Sequence, residues 1–337
     1  MSVRLKDIAA HLGVSVSTVS LALREAPQIA EETRLRVRDA ALRLGYVQRP
    51  RQAARAEIGQ VAFITHCEPD NVFYAAVLSG AEQACRQRQI ALRYSRLDEV
   101  STSALAHYRE ADGLLLVGTI DESIVQRIRD IGRPMVLIDN NLPHLGLDRV
   151  LIENVASLYR TVARLASWGH RRIAFLSGPQ TSPSFHERAL GYRLATADLG
   201  LEPIELACRR IAHEEIEAVI RAQLGPNGMP QFTALITCND LVAIMAVHTL
   251  QDCGVQVPDD VSLVGFDDID MAQVMRPTLT TCHVHRELLG ALAVRRLIER
   301  IDDPNGPALA LLIDTTFIER ASARPLQERA ILARNLL

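Results

Sequence analysis

Two textures of hydrophobic patterning divide this chain. From Leu5 to Gly45, apolar residues recur at three- and four-residue spacing with no alternating stretch, which is the period of helices packed on one face. Three helices fit there: about Lys6–Leu12, about Ser17–Leu23 and about Glu31–Leu44. The third sets Val37, Ala40, Ala41 and Leu44 on one side and ends at Gly45, a residue suited to a left-handed cap. Val47–Ala56 is polar, basic and rich in alanine, and reads as a linker.

From Ile58 onward, short apolar runs alternate with amphipathic helical stretches. The first group is Val61–Thr65, Phe73–Arg88, Ala91–Tyr94, Gly113–Val117, Glu122–Ile131 and Met135–Ile138. The second is Leu158–Trp168, Ile173–Leu176, His186–Leu199, Ala234–Thr237, Leu241–Cys253, Ser262–Phe266 and Arg286–Ile301. Short strands alternating with longer helices imply parallel sheets covered on both faces. The units are too many for one sheet, so the fold class expected is an all-α head followed by an α/β body of two doubly wound parallel-sheet lobes. In such sheets ligands bind beyond the carboxyl ends of the strands, which here means the cleft between the lobes.

Composition narrows the setting. The 337 residues suit two or three domains, and no apolar run approaches the roughly 18 to 20 residues of a membrane span. The N-terminus, MSVRLKDIAAHLG, carries a charge every few residues and does not read as a secretory signal, so a cytoplasmic protein is expected. The six cysteines (Cys67, Cys85, Cys208, Cys238, Cys253 and Cys282) include no Cys-x-x-Cys pair and read as reduced thiols. Residues 1–56 hold ten Lys and Arg against five Asp and Glu, leaving 27 against 35 in the remainder. A basic head on an acidic body points the head toward a polyanion.

The sharpest local signal is Lys6-Asp7-Ile8-Ala9-Ala10-His11-Leu12-Gly13-Val14-Ser15-Val16-Ser17-Thr18-Val19-Ser20. Ala9 lets two helices cross closely, Gly13 permits the positive φ of a tight turn, and Val14 and Val19 fill the space between. Ser15 is placed to cap a second helix whose first residues would face a DNA major groove. The same spacings also describe an ordinary helical hairpin.

The run continues as Glu31-Glu32-Thr33-Arg34 and Leu44-Gly45-Tyr46, and with that continuation it resembles the head of the LacI family of bacterial transcription regulators. Gly169-His170-Arg171-Arg172-Ile173, Cys238-Asn239-Asp240, the stretch Pro258–Asp268 and Pro277-Thr278-Leu279-Thr280-Thr281 resemble later landmarks of that family, in order. The resemblance implies a helix-turn-helix domain over residues 1–46, a hinge over 47–57 and a two-lobed effector-binding and dimerisation domain over 58–337, similar to periplasmic sugar-binding proteins with three crossovers between lobes. It implies a repressor that binds an approximately palindromic double-stranded operator as a homodimer and answers to a small carbohydrate-like effector, with no cofactor and no membrane. The short segment after Arg320 argues against a tetramer.

By the same resemblance, base reading falls to Val16, Ser17 and Leu21, with Val16 and Leu21 meeting thymine methyls and Ser17 offering the one hydrogen bond. Lys6, Thr18, Arg24, Arg34, Arg51 and Arg55 complete the DNA-binding set, the arginines as phosphate contacts. Effector binding falls to Phe73, Tyr74, Asp139, Ser182, Ser184, Arg188, Asn239 and Asp267. Aromatic faces, an Arg and an Asp suit a polar ring. At the residue level other roles stay open: Phe73 and Tyr74 as core, Arg188 in a surface salt bridge, Asp267 as a turn cap. No pocket aromatic is visible at Arg210–His213, where the family often has one. The leucine that relatives wedge into the minor groove is missing, because nine residues beyond Tyr46 stands Arg55. Binding with little central kink, and an A·T-rich centre read through groove width by Arg51 and Arg55, is the expectation.

Other functions have little support. Asp267-Asp268-Ile269-Asp270 and His283-x-His285, the latter with both rings on one strand face, are incomplete as metal sites. No Gly-x-Ser-x-Gly, phosphate loop, dinucleotide fingerprint or zinc-protease signature is present, so no enzyme is expected. A solute-binding protein without DNA function shares the two-lobed fold but should carry a signal peptide in place of the basic head.

Overall fold

The computed structural model describes residues 3–23, 29–44, 46, 58–67, 71–97, 102–179 and 181–326. The chain divides into two units, residues 1–55 and 56–337.

In the first unit, α1 (Leu5–Leu12), α2 (Val16–Leu23) and α3 (Glu31–Leu44) enclose a small core of Ile8, Ala9, Val19, Ala22, Val37, Ala40 and Ala41. The turn between α1 and α2 is specified residue by residue. Gly13, at φ 66°, ends α1 in the left-handed conformation, and the Oγ of Ser15 accepts from the backbone N of Thr18 at 3.0 Å, satisfying a donor at the start of α2. Ser15→Ala is expected to remove roughly 1 kcal/mol from α2. The check is amide exchange in the full chain, which should quicken about fivefold across α2.

In the second unit, one sheet is built from β1 (Gln60–Thr65), β2 (Ala91–Arg96), β3 (Gly113–Val117), β4 (Met135–Ile138), β5 (Asp148–Ile152) and β11 (Ala310–Ile313), in the order β11-β5-β4-β3-β1-β2. All its neighbouring strands are parallel. Helices α4 (Val72–Arg86), α5 (Thr102–Glu110), α6 (Glu122–Arg129) and α12 (Arg286–Asp302) belong to this lobe. The second sheet runs β12-β10-β9-β8-β6-β7. Its strands are β6 (Ile173–Ser177), β7 (Ile204–Ala207), β8 (Ala234–Thr237), β9 (Ser262–Asp267), β10 (Thr280–His283) and β12 (Thr316–Ile318), and β12 alone is antiparallel to its neighbour. With it go α7 (Asn154–Ser167), α8 (Pro183–Asp198), α9 (His213–Arg221), α10 (Asp240–Asp252) and α11 (Met271–Val274). Within the described residues the chain crosses between lobes three times: before α7, between β10 and α12, and between β11 and β12. Central strands such as Gly113–Val117 and Ile173–Ser177 are buried along their whole length, as expected of strands covered on both faces.

The second crossing returns the chain to the first lobe through a close contact of α12 with α4. A Cβ at Gly290 would lie 2.0 Å from the carbonyl oxygen of Val77, and one at Gly80 would lie 1.9 Å from that of Glu287. Only glycine lets the two backbones approach so far.

Several elements escape the hydrophobic pattern: α5, β5, β7, α9, α11, β10, β11 and β12. β7 and β11 sit at or beside sheet edges and alternate exposed and covered residues. β5 opens with Asp148-Arg149, which looks too polar for a strand, yet Asp148 is buried. Its carboxylate accepts from Arg296 Nε at 2.9 Å, Arg300 Nε at 2.6 Å and Leu309 N at 2.8 Å, all about 150 positions further on. α8 starts at Pro183, three residues before the expected His186, because proline suits the first helical turn, where its missing N–H costs nothing. Among the described residues no helix is long and apolar enough to cross a membrane.

Candidate functional site

The three-helix unit presents α2 much as the turn chemistry dictates. Val16, 47% exposed, and Ser17 stand at its solvent-facing start. Leu21 is half-buried one turn further on. The hydroxyls of Thr18 and Ser15 are 2.8 Å apart, so part of the hydrogen-bonding capacity of Thr18 is used within the turn. Lys6 is exposed on α1. Arg34 pairs with Glu31 one turn earlier on α3 at 2.9 Å. Arg24, Arg51, Arg55, the hinge over 47–57 and the cap Gly45 lie outside the described residues.

In the second unit the carboxyl ends of both sheets face a cavity of about 500 Å³ between the lobes. The first lobe contributes Asn71, Val72, Phe73, Tyr74 and Asp139; the second contributes Ser182, Ser184, Phe185, Arg188, Ile211, Asn239, Leu241, Asp267 and Ile269. All eight side chains proposed from sequence for the effector are therefore brought together. Asn71, Val72, Phe185, Ile211, Leu241 and Ile269 were missed. Ile211, within Arg210–His213, supplies aliphatic surface to the cavity where the resemblance points to an aromatic.

Local folding places each group. The side chain of Asn71 accepts from the backbone N atoms of Phe73 and Tyr74 at 3.1 and 3.2 Å and so fixes the first turn of α4. Both aromatics are half-buried against the main core while lining the cavity. Asp139 follows the end of β4 with φ 52°. Its carboxylate accepts from the Tyr74 hydroxyl at 2.8 Å and, across the cleft, from Ser184 Oγ at 2.6 Å. Ser182 precedes α8 without capping it and lines the cavity instead. The side chain of Asn239 caps α10 through Val242 N at 2.9 Å.

Arg188 is not a surface group. At 3% exposure, it donates from Nε to Asn154 Oδ1 at 2.9 Å and from Nη1 to the Cys238 carbonyl, and its guanidinium lies 3.7 Å from the Phe266 ring centroid. Nη2 is 3.6 Å from Asp267 Oδ1, beyond hydrogen-bond reach. That buried oxygen has no hydrogen-bond partner in the protein. Asp267, at φ 116°, is thus held in a backbone conformation that non-glycine residues seldom adopt, with one oxygen unsatisfied at the cavity.

Burial pushes the Asp267 carboxyl up to about 8, against the pull of Arg188, and that of Asp240 up to about 6. Burial also raises Asp139, opposed by Ser184 and Arg188. In the unfolded chain such carboxyls lose their protons near pH 4. Between about 4 and 8 the native protein therefore holds more protons, and the stability these groups contribute is full below pH 4 and lost as pH rises through 6 to 8. Asp267→Asn should flatten that decline. Denaturant midpoints measured from pH 5 to 9 should converge at low pH and favour the variant at high pH.

The acidic run Asp267–Asp270 and the histidine pair build no metal centre. Among the described residues no group of three or more His, Cys, Asp or Glu could hold an ion. His283 ends β10 while His285 precedes α12, so the two do not share a strand face; their rings meet edge-on at 4.8 Å, and His283 Nδ1 is engaged by Asp268 Oδ2 at 2.9 Å.

Residues 4–48 match the family model described as bacterial regulatory proteins, lacI family, and residues 162–323 match the periplasmic binding protein-like domain. The HTH-type transcriptional repressor CytR of Escherichia coli K12 is 30% identical over 96% of this chain and 96% of its own length. The chain belongs to the LacI family. The Ribose operon repressor of Haemophilus influenzae is 29% identical over 94% of this chain and 98% of its own length. A solved complex of the transcriptional regulator CelR with cellobiose superposes with a TM-score of 0.68 at 27% identity, over 95% of this chain and all of that one. As a member of the LacI family this protein is a DNA-binding transcription regulator and not an enzyme, with the helix-turn-helix in the first unit and two parallel-sheet α/β lobes in the second.

Proposed function

We propose that this LacI-family member is a cytoplasmic homodimeric repressor whose residues 1–46 read an approximately palindromic operator, with residues 47–57 as linker and residues 58–337 as sensor. The cleft binds a small neutral metabolite rich in hydroxyl groups, of the sugar kind. The observation that carries this reading is the buried Arg188–Asp267 pair at the cavity, with one carboxylate oxygen left without a partner. A ligand hydroxyl satisfies that oxygen, while Phe73, Tyr74 and Phe185 offer faces to a ring. A cavity of about 500 Å³ suits a ligand of that size. The cellobiose held by CelR agrees with this class. In the head, Val16 and Leu21 meet base methyls, Ser17 donates or accepts at a base edge, and Lys6, Thr18 and Arg34 hold the backbone. Arg24, Arg51 and Arg55 join them in the same role.

Calorimetric titration of the full chain with a panel of neutral mono- and disaccharides, nucleosides and sugar phosphates tests the cleft. One neutral compound should bind with micromolar affinity or better, and binding confined to the phosphorylated compounds would reject the proposed class. Sedimentation at micromolar concentration should give a dimer, and a monomer would remove the two-fold reading of DNA.

A further inference from the structure

A second cavity, of about 330 Å³, lies between α7 and the strands β10 and β12 and shares no lining residue with the cleft. We propose that it is a binding site for a small organic oxyanion, a carboxylate or a phosphate, and that its occupancy biases the opening of the two lobes. Its walls come from beside all three inter-lobe crossings. Ser157 lies in the first turn after the first crossing, Cys282 stands just ahead of the second, and Thr315 is within the third.

Charge selects the ligand. Arg160 and Arg164 stand one turn apart on α7, and the cavity lining contains no carboxylate. Arg160 is already oriented, donating to Ser157 Oγ at 3.3 Å and to Asp314 at the rim. Arg164 is different: among the described residues it has no hydrogen-bond or acidic partner, and its guanidinium is held only against the Phe317 ring, 5.8 Å from the centroid. Arg164 lines the cavity at its exposed mouth, and its five N–H donors have no acceptor among the described residues.

The neighbouring hydroxyls are donors no longer. Ser157 donates to the Glu153 carbonyl, Thr161 to that of Ser157, and Thr315 to Ser157 Oγ. What remains is a pair of guanidinium forks, whose planar geometry matches the two oxygens of a carboxylate or phosphate. An anion held by both arginines competes with Asp314 for Arg160 and so loosens the tie between α7 and the third crossing. A ligand that treats two lobe arrangements differently shifts the balance between them.

Trp168 is the single tryptophan and lies edge-on to Phe317 at 6.2 Å, so its emission reports on the cavity. The full chain is titrated with potassium phosphate, sodium succinate and sodium chloride at matched ionic strength. The expected result is a saturable change with phosphate or succinate and none with chloride. Half-saturation should weaken at least tenfold in Arg164→Gln and stay unchanged in Arg193→Gln, a surface pair to Glu205. No saturation with either oxyanion, or an unaltered curve in Arg164→Gln, overturns the site. Amide exchange at the three crossings should change on saturation with the anion, and unchanged exchange there overturns the link to lobe opening. None of these readings depends on the cleft ligand.

Discussion

Replacing Arg188 with alanine is expected to abolish the effector response and to destabilise the sensor, while Asp267→Asn abolishes the response at little cost in stability. The asymmetry follows from what each change leaves behind. Arg188 satisfies Asn154 Oδ1 and the Cys238 carbonyl, and it is the counter-charge to Asp267. Its loss strands two buried acceptors, each at a cost of roughly 1 to 3 kcal/mol. Asp267 already resists ionisation, with its carboxyl pushed up to about 8, so a neutral isostere removes a desolvated group and strands little. Arg188→Ala deletes a charge-assisted contact to the ligand, and Asp267→Asn puts an amide donor in place of one carboxyl oxygen; each lowers affinity roughly ten- to a hundredfold. Calorimetry with the ligand found in the panel, together with urea midpoints, separates the two outcomes. Wild-type ligand affinity in both variants would remove the pair from the binding site.

Gly290→Ala should be among the most damaging single-methyl additions to the sensor. The new Cβ would meet the backbone of α4 at Val77 and Ala81, at 2.0 and 2.7 Å, and neither a carbonyl oxygen nor an amide nitrogen on a packed helix can swing aside. The two helices must separate, exposing apolar surface shared by Val77, Ala81, Leu289 and Ala293, all buried in the main core. Overpacking of this kind costs roughly 3 kcal/mol, which for a unit of this size lowers the melting temperature by about 5 °C. Thermal denaturation followed by circular dichroism would show it. A shift below about 2 °C would mean that the helices are not packed backbone to backbone.

Some of this was legible in sequence and some was not, for reasons that differ by residue. The turn Gly13-Val14-Ser15 declares itself because its φ and its cap are local properties of neighbouring residues. The central strands declare themselves because burial on both faces leaves an uninterrupted apolar run. Asp148 hid β5 because the arginines that neutralise it lie in α12, and Asn154 could not be foreseen as the partner of Arg188, 34 positions away. The cleft residues were placed by resemblance and not by periodicity, which cannot tell a buried Arg188 from a surface one. Ile211 is not legible as a lining residue because a branched aliphatic stands where the resemblance points to an aromatic. Gly80 and Gly290 carry no pattern at all in sequence; only the crossing of α4 with α12 gives them meaning.

In the proposed function, the cleft controls DNA binding by the head. The most direct test of that control is fluorescence anisotropy of the full chain on a duplex selected from a random pool, with and without the ligand identified by calorimetry. The selected duplex should bind with nanomolar affinity, on the order of 10 nM, and scrambled DNA at least a thousandfold more weakly. Ligand at a concentration that just saturates the wild type should change the first by tenfold or more there and by much less in Asp267→Asn. Equal affinity for selected and scrambled duplexes, or a cleft ligand that leaves operator affinity where it was, would contradict it.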